Sequence, residues 1–195
     1  MKNRRHSMPT PTVEQLESEL KRERYRRNYR KTLRSTLCAL ITVSAAAVLV
    51  ATLFLPVLQI YGTSMFPTLV DGDIVVSVKE ADMKKQDVVA FYYNNKILVK
   101  RVIASAGQWV DIDSQGNVSV DGEELEEPYL TEKALGECDI ELPYQVPEGK
   151  VFVMGDHRSV SVDSRSTTVG CVSEEQIVGK LVFRIWPLSE FGKIS

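Results

Sequence analysis

The sequence predicts a mainly β domain that is anchored by one N-terminal transmembrane helix. Three observations predict this fold class: a charge-free apolar run near the N-terminus, a series of short β-branched runs separated by turn residues, and an uneven distribution of charge. Of the 195 residues, 44% are hydrophobic and 26% charged, which is typical of a folded chain rather than a disordered one. The length suits one ordinary domain with an appendage.

Charge divides the chain into three parts. Residues 1–34 carry 11 Lys/Arg against 4 Glu, residues 35–60 carry no charge, and residues 61–195 carry 13 Lys/Arg against 22 Asp/Glu. A basic arm followed by a neutral stretch and an acidic domain argues against nucleic-acid binding and favours a membrane protein. We therefore predict a basic cytoplasmic tail over 1–34, a signal-anchor helix over 35–59 and an extracytoplasmic β-rich domain over 60–195.

The apolar run at 35–60 is long enough to cross a bilayer. At about 1.5 Å per residue it reaches roughly 39 Å, against about 30 Å of hydrocarbon. A buried core helix would show a polar stripe, and a cleaved signal peptide would have an apolar run of about 7–15 residues. Eight Lys/Arg lie within residues 21–34, whereas 61–78 carry none. This bias predicts a single-pass cell-membrane protein whose N-terminus stays in the cytoplasm.

The tail and the exported part differ in their predicted secondary structure. Residues 14–31 have helix-forming composition, and whether this helix contacts anionic lipid or is simply solvated stays open. Asn94-Asn95 predicts a hairpin turn, residues 173–178 a short helix, and the acidic stretch 123–147 an irregular loop. Seven runs predict strands: Asp73–Val78, Asp87–Tyr93, Ile97–Ala104, Trp109–Ile112, Val118–Val120, Val151–Met154 and Ile177–Trp186.

Several kinds of site are excluded by what the sequence lacks. The two histidines, His6 and His157, are too few for a zinc site built on several imidazoles, and the cysteines lack metal-motif spacing. Gly-rich phosphate loops are absent, so we expect no cofactor and no metal. Export permits a Cys138–Cys171 disulfide, but spacing alone leaves that pairing open. A hydrolase built from this chain would use Lys as base and Ser, Thr or Cys as nucleophile.

Two side chains fit that chemistry. Ser64 lies just beyond the apolar run, between Gly62, which frees the backbone, and Pro67, which keeps the preceding residue out of a helix. Lys100 lies within an apolar strand, where a lysine either reaches water along its stem or is desolvated with a lowered pKa. A neutral amine of that kind can take the proton of a serine hydroxyl. The polar stretch 155–165, taken alone, predicts a hydrogen-bonded surface loop.

Four motifs in order resemble the type I signal peptidase family, the membrane-bound enzymes that remove signal peptides from exported proteins. The resemblance covers residues 60–192 in segments, leaves out 123–147, and points to the Gram-positive-like branch. The motifs are SMFPTL followed by DGD, then DVVAFYYNNKILVKRVIASAG, then GDHRSVSVDSR, and finally VGKLVFRIWPL.

The resemblance implies a role for each matching residue. Ser64 corresponds to the nucleophile and the source of an oxyanion N–H, and Lys100 to the general base, acting through an acyl-enzyme. Ser161 corresponds to the hydroxyl that orients the lysine amine. Asp163 and Arg165 correspond to an ion pair that shapes the loop. Met65 and Pro67 correspond to residues that set the turn geometry and the wall of the substrate cleft. The implied partners are preproteins with A-x-A-like sites and the bilayer, and the secretion translocon is left open.

Two positions depart from the family pattern, and three other kinds of protein fit the sequence less well. Gly62 stands where some members have a serine that supplies a second oxyanion donor, and His157 stands where Asn is usual. A self-cleaving repressor-type Ser-Lys protease would lack the membrane span. A scaffold or inactive homologue would not need Ser64, Lys100 and Ser161 together, and a sortase-like enzyme would place its cysteine in a recognisable strand-end motif.

Overall fold

The computed structural model of the chain describes residues 12–79 and 83–194. Residues 1–11, 80–82 and 195 lie outside the described residues, and His6 of the predicted tail is among them. The chain divides into two units after Val50. A long helix makes up the described part of the first unit, and all the described strands lie in the second.

Helix α1 runs from Val13 to Phe54 and contains the predicted helix at 14–31. By length and composition it can cross a membrane, with a mean hydropathy of 2.0 in its most apolar stretch. It ends before Pro56, which has no N–H to donate and restricts the backbone of the residue before it. The helix therefore stops five residues short of the predicted end of the anchor, and Val57–Gln59 form a strand instead.

The described residues of the second unit contain twelve strands, which confirms the predicted mainly β fold class. All seven predicted runs are strands, with bounds within one residue of the prediction, and the short helix appears as one 3₁₀ turn at Glu174–Gln176. Five strands of two or three residues were not predicted. The strands are β1 Val57–Gln59, β2 Ile74–Val78, β3 Val88–Tyr93, β4 Lys96–Ala104, β5 Trp109–Ile112, β6 Val118–Val120, β7 Glu123–Glu124, β8 Tyr144–Gln145, β9 Lys150–Met154, β10 Val172–Ser173, β11 Ile177–Trp186 and β12 Gly192–Lys193.

The strands form two antiparallel sheets. The larger has the order β1-β2-β11-β3-β4-β9-β10, with β12 also paired to β11, and the smaller has the order β7-β6-β5-β8. The predicted hairpin joins β3 to β4 through Asn94 and Asn95, both at positive φ (42° and 63°). Strand β4 pairs with β3 over 96–101 but with β9 only from Arg101 onwards. The first half of β4 is thus open on one edge, which matters for the site.

The acidic stretch 123–147 contributes more to the core than a surface loop would. It is mostly irregular, as predicted, yet its two short strands complete the smaller sheet and Leu125 and Val146 are buried. Leu135, Ile140 and Leu142 also pack against this apolar cluster. The apolar residues of the stretch follow no fixed spacing, because the chain crosses the core without regular structure. Their burial could therefore not be predicted from hydrophobic periodicity.

Candidate active site

Ser64 lies on a tight turn between β1 and β2, partly exposed to solvent. Gly62 has φ +89°, a value that favours glycine, and its N–H donates to Asp71 Oδ1 at 2.7 Å. Met65 is buried on the other side of the turn, with 2% of its surface exposed. These contacts hold the Ser64 backbone, while its own N–H makes no hydrogen bond to any described residue.

Lys100 is buried on β4, with only 3% of its surface exposed. The alternative that it reaches water along its stem is therefore wrong. Its Nζ donates to Ser161 Oγ at 2.8 Å. Burial lowers the pKa of Lys100 from 10.5 to about 8, and the charge of Arg165 adds to this, while Asp163 and Asp156 oppose it. The fold thus supplies an amine that is partly neutral near pH 8.

The loop between β9 and β10 brings Ser64 and Ser161 together through Gly155. A Cβ placed on Gly155 would lie 2.2 Å from Ser161 Oγ and 2.5 Å from the Ser64 carbonyl oxygen. Both oxygens therefore lie within 5 Å of each other, and Lys100 Nζ is bonded to one of them. The Ser64 hydroxyl makes no hydrogen bond to Lys100 in the described part of the chain; such catalytic contacts often tighten only when substrate binds.

Asp163 and Arg165 form a fully buried ion pair behind Ser161. Arg165 Nε and Nη2 donate to the two carboxylate oxygens, each at 2.9 Å, and Nη2 also donates to the Ser161 carbonyl at 3.3 Å. Burial favours a raised pKa for Asp163, but the hydrogen bonds and charge of Arg165 and the Gly155 N–H outweigh it and lower the pKa below its ordinary value. The prediction of a surface loop over 155–165 is wrong. The opposite charges of Asp163 and Arg165 neutralise each other, and this pairing allows both side chains to be buried.

Two further buried ion pairs were not predicted. Arg101 donates to Asp156 with Nε at 2.9 Å and Nη2 at 2.7 Å, and Arg158 donates to Glu127 through both terminal nitrogens. Tyr129 lies under the Arg101 guanidinium at 3.8 Å. Glu127 and Tyr129 belong to the stretch interpreted as an irregular loop, and nothing in their spacing marks them as partners of arginines about 30 residues away.

An apolar cleft of about 540 Å³ leads to Ser64. Met65 lines it, whereas Pro67, expected to help form its wall, lines a separate hollow with Tyr129 and Arg184. The cleft is flanked by the open edges of β1 and β4, since β1 pairs only with β2 among the described strands. The residues that line it are Leu58, Gln59, Ile60, Tyr61, Gly62, Ser64, Met65, Lys96, Ile97, Leu98 and Val99.

In the part of the chain that the structure describes, the cysteines and the metal-ligand residue types form no alternative site. Cys138 and Cys171 carry free thiols, and burial raises the pKa of Cys171, the opposite of what a reactive thiolate requires. Among residues 12–79 and 83–194, no group of three His, Cys, Asp or Glu could hold a metal ion. Within this part of the chain, the chemistry available at the cleft is that of a serine beside a buried lysine.

Known proteins resemble this chain over most of its length. The family described as signal peptidase, peptidase S26, matches residues 33–186. Signal peptidase IB of Staphylococcus aureus (strain COL) is 40% identical over 152 residues, which cover 68% of this chain and 78% of that protein. The chloroplastic thylakoidal processing peptidase 1 of Arabidopsis thaliana is 36% identical over 149 residues, 68% of this chain and 42% of that protein. A crystal structure of a signal peptidase I from Enterococcus faecalis is 26% identical, with a TM-score of 0.43, covering 52% of this chain and 97% of that one.

Proposed function

The chain belongs to the signal peptidase family, peptidase S26, and we propose that it removes signal peptides with Ser64 as nucleophile and Lys100 as general base. The observation that carries the assignment of residues is the buried Lys100 amine, with its lowered pKa, next to the turn that bears Ser64. Family membership makes the chain a serine endopeptidase whose substrates are preproteins. The residue roles, the cleavage motif and the membrane orientation are our inferences.

The reaction proceeds in two halves around one ester. Lys100 Nζ takes the Ser64 hydroxyl proton as Oγ bonds to the scissile carbonyl carbon, and the resulting ammonium gives that proton to the departing amine as the C–N bond breaks. Lys100 then takes a proton from water, which attacks the ester, and Ser64 regains a proton when the acyl group leaves. The free N–H of Ser64 donates to the oxyanion in both halves.

Three neighbouring residues orient the Lys100 amine or favour its neutral form. Ser161 Oγ accepts a hydrogen bond from Nζ and so fixes where the amine points. The Asp163–Arg165 pair holds the loop that carries Ser161, through the Arg165 bond to the Ser161 carbonyl. Arg165 also adds positive charge near Lys100, which favours the neutral amine.

The cleft suits an extended peptide. Strands β1 and β4 both present unpaired backbone groups to it, so a peptide strand can hydrogen-bond on both sides, as in β-augmentation. Counting along the antiparallel pairs of the sheet, β1 and β4 run in the same direction, and both lead towards the site. The apolar lining accommodates small side chains, which fits an A-x-A-like segment ending at the scissile bond.

We place the domains and the membrane orientation from charge and helix ends. The proposed tail covers 1–34, the membrane segment is the charge-free part of α1 from residue 35, and the catalytic domain occupies the predicted 60–195 together with β1. The Lys/Arg excess before the span supports a cytoplasmic location for the tail. Protease added outside intact cells should digest the catalytic domain, whereas the opposite orientation would protect it. The secretion translocon remains a proposed partner.

The decisive experiment is cleavage of a preprotein with an A-x-A site by the full chain in detergent or liposomes. Ser64→Ala and Lys100→Ala should each reduce the cleavage rate by at least a thousandfold while leaving the unfolding transition in place. Exposed residues of the same types provide matched controls, and Ser114→Ala and Lys85→Ala should cut like wild type. Near-normal activity of Lys100→Ala would refute the proposed base, and an inactive wild type would favour the inactive-homologue interpretation.

A further inference from the structure

His157 contacts the two peptide groups on either side of Ser64. Its backbone N–H donates to the Ser64 carbonyl at 3.0 Å. Its ring Nδ1 lies 3.2 Å from the Thr63 carbonyl oxygen. A carbonyl can only accept, so Nδ1 carries the hydrogen in this contact. The ring also packs against Phe66 in the same turn, with 6.0 Å between the ring centroids.

The contact with Thr63 has a consequence for Ser64 because the two residues share a peptide group. The Thr63 C=O and the Ser64 N–H lie in one planar trans unit and point in opposite directions. Holding the carbonyl oxygen therefore fixes where the N–H points. We propose that His157 is a positioning residue that aims the Ser64 N–H at the oxyanion of the transition state. This inference rests on the proposed function.

The turn leaves much of the oxyanion stabilisation to the Ser64 N–H, so the direction of this N–H matters. Gly62 offers no hydroxyl at the position where a second oxyanion donor could stand, and its φ of +89° disfavours other residues there. The Ser64 N–H thus carries more of the oxyanion stabilisation. The Thr63 carbonyl also accepts the Phe66 N–H at 3.1 Å, so loss of the His157 ring should loosen the peptide plane without freeing it.

His157 also connects the nucleophile turn to Ser161. Its own carbonyl accepts the N–H of Ser161 at 3.0 Å and that of Val160 at 3.2 Å. One residue therefore touches the turn that carries the nucleophile and the turn that orients the lysine. The backbone contacts survive any substitution of the side chain, so a change at this position tests the ring contact alone.

Asn and Asp provide a matched pair of substitutions. Their δ atoms occupy about the place of Nδ1, but an amide can donate to the Thr63 carbonyl and an ionised carboxylate cannot. Neither can act as the histidine base that a rival mechanism would require. At pH 8, His157→Asn should keep kcat within threefold of wild type, and His157→Asp should lower it about tenfold or more. Removing one oxyanion donor entirely costs roughly 10²–10³ in kcat.

The measurement is kcat and KM for the full chain on an A-x-A preprotein, together with thermal unfolding. We expect the loss in His157→Asp to fall on kcat, with KM within twofold, and His157→Ala to lie between the two variants. Ser159→Ala, an exposed change in the same loop, should match wild type. Equal activity of the Asn and Asp variants, or a loss in KM alone, would overturn the proposal. Failure of the proposed function is separate, since it would appear as an active Ser64→Ala.

Discussion

Activity should depend on pH through the proton on Lys100. The pKa of this amine is lowered from 10.5 to about 8, chiefly by burial. At about 1.36 kcal/mol per pKa unit, the shift corresponds to roughly 3 kcal/mol in favour of the neutral amine. At pH 7 about one molecule in ten then carries a neutral Lys100, against about one in 3,000 for a solvated lysine. The net shift, of which burial is the largest cause, therefore raises the population of active base some 300-fold.

The expected profile has one ascending limb. Because the base must be neutral, kcat/KM should rise almost tenfold from pH 6 to 7, reach half its maximum near pH 8 and level off above pH 9. Single-turnover cleavage of an A-x-A peptide by the full chain in detergent would follow the chemical step directly. Unfolding transitions at each pH would show that the enzyme stays folded.

Ser161→Ala separates burial from orientation in the same assay. Removing the hydroxyl should lower the plateau, because Lys100 Nζ loses the oxygen that fixes its direction. The midpoint should stay close to that of wild type, because desolvation is the main cause of the lowered pKa. A wild-type midpoint above about pH 9.5, or a flat profile while chemistry limits the rate, would refute the assignment of Lys100 as a desolvated base.

Two further substitutions test the packing of the site. Gly155→Ala should reduce kcat/KM about 100-fold, because its Cβ would lie 2.2 Å from Ser161 Oγ and 2.5 Å from the Ser64 carbonyl oxygen, and displacements near 1 Å cost about that much. Gly192→Ala, with open space around it, is the control. Activity of Gly155→Ala within threefold of wild type would contradict the packing argument. Lys100→Met should raise the free energy of unfolding at pH 7 by about 1–3 kcal/mol while abolishing cleavage, because it removes a buried amine. Denaturant titrations at pH 7 and pH 10 should show that this difference in unfolding free energy shrinks as the pH rises. Between pH 8 and 10.5 the folded wild type has lost the Lys100 proton that the unfolded chain retains, so the unfolding free energy of the wild type increases over this range. An unchanged difference would contradict the lowered pKa.

The sequence determined the parts of this protein that depend on local pattern. The charge-free run over 35–60, the seven main strands and the Asn94-Asn95 turn each follow from composition and spacing within one continuous segment of the chain. The four motifs in order, two of which contain Ser64 and Lys100, suggested the family. Helix and strand periods, turn residues and short motifs are all local signals, so one sequence can display them without knowledge of the fold.

Only the tertiary structure decided which charges are buried and what they face. Glu127 partners Arg158, although nothing local distinguishes it from a surface residue. The apolar strand around Lys100 left open whether its amine reaches water, and only the packed sheet buries it. Val57 and Leu58 continue the charge-free run beyond Pro56, and the pairing of Val57–Gln59 with β2 makes this segment a strand. Burial and pairing arise from residues far apart in the chain, and the free energy of a charge depends on that surrounding medium. The direction of the Ser64 N–H, which we propose that His157 fixes, likewise depends on residues far apart in the chain.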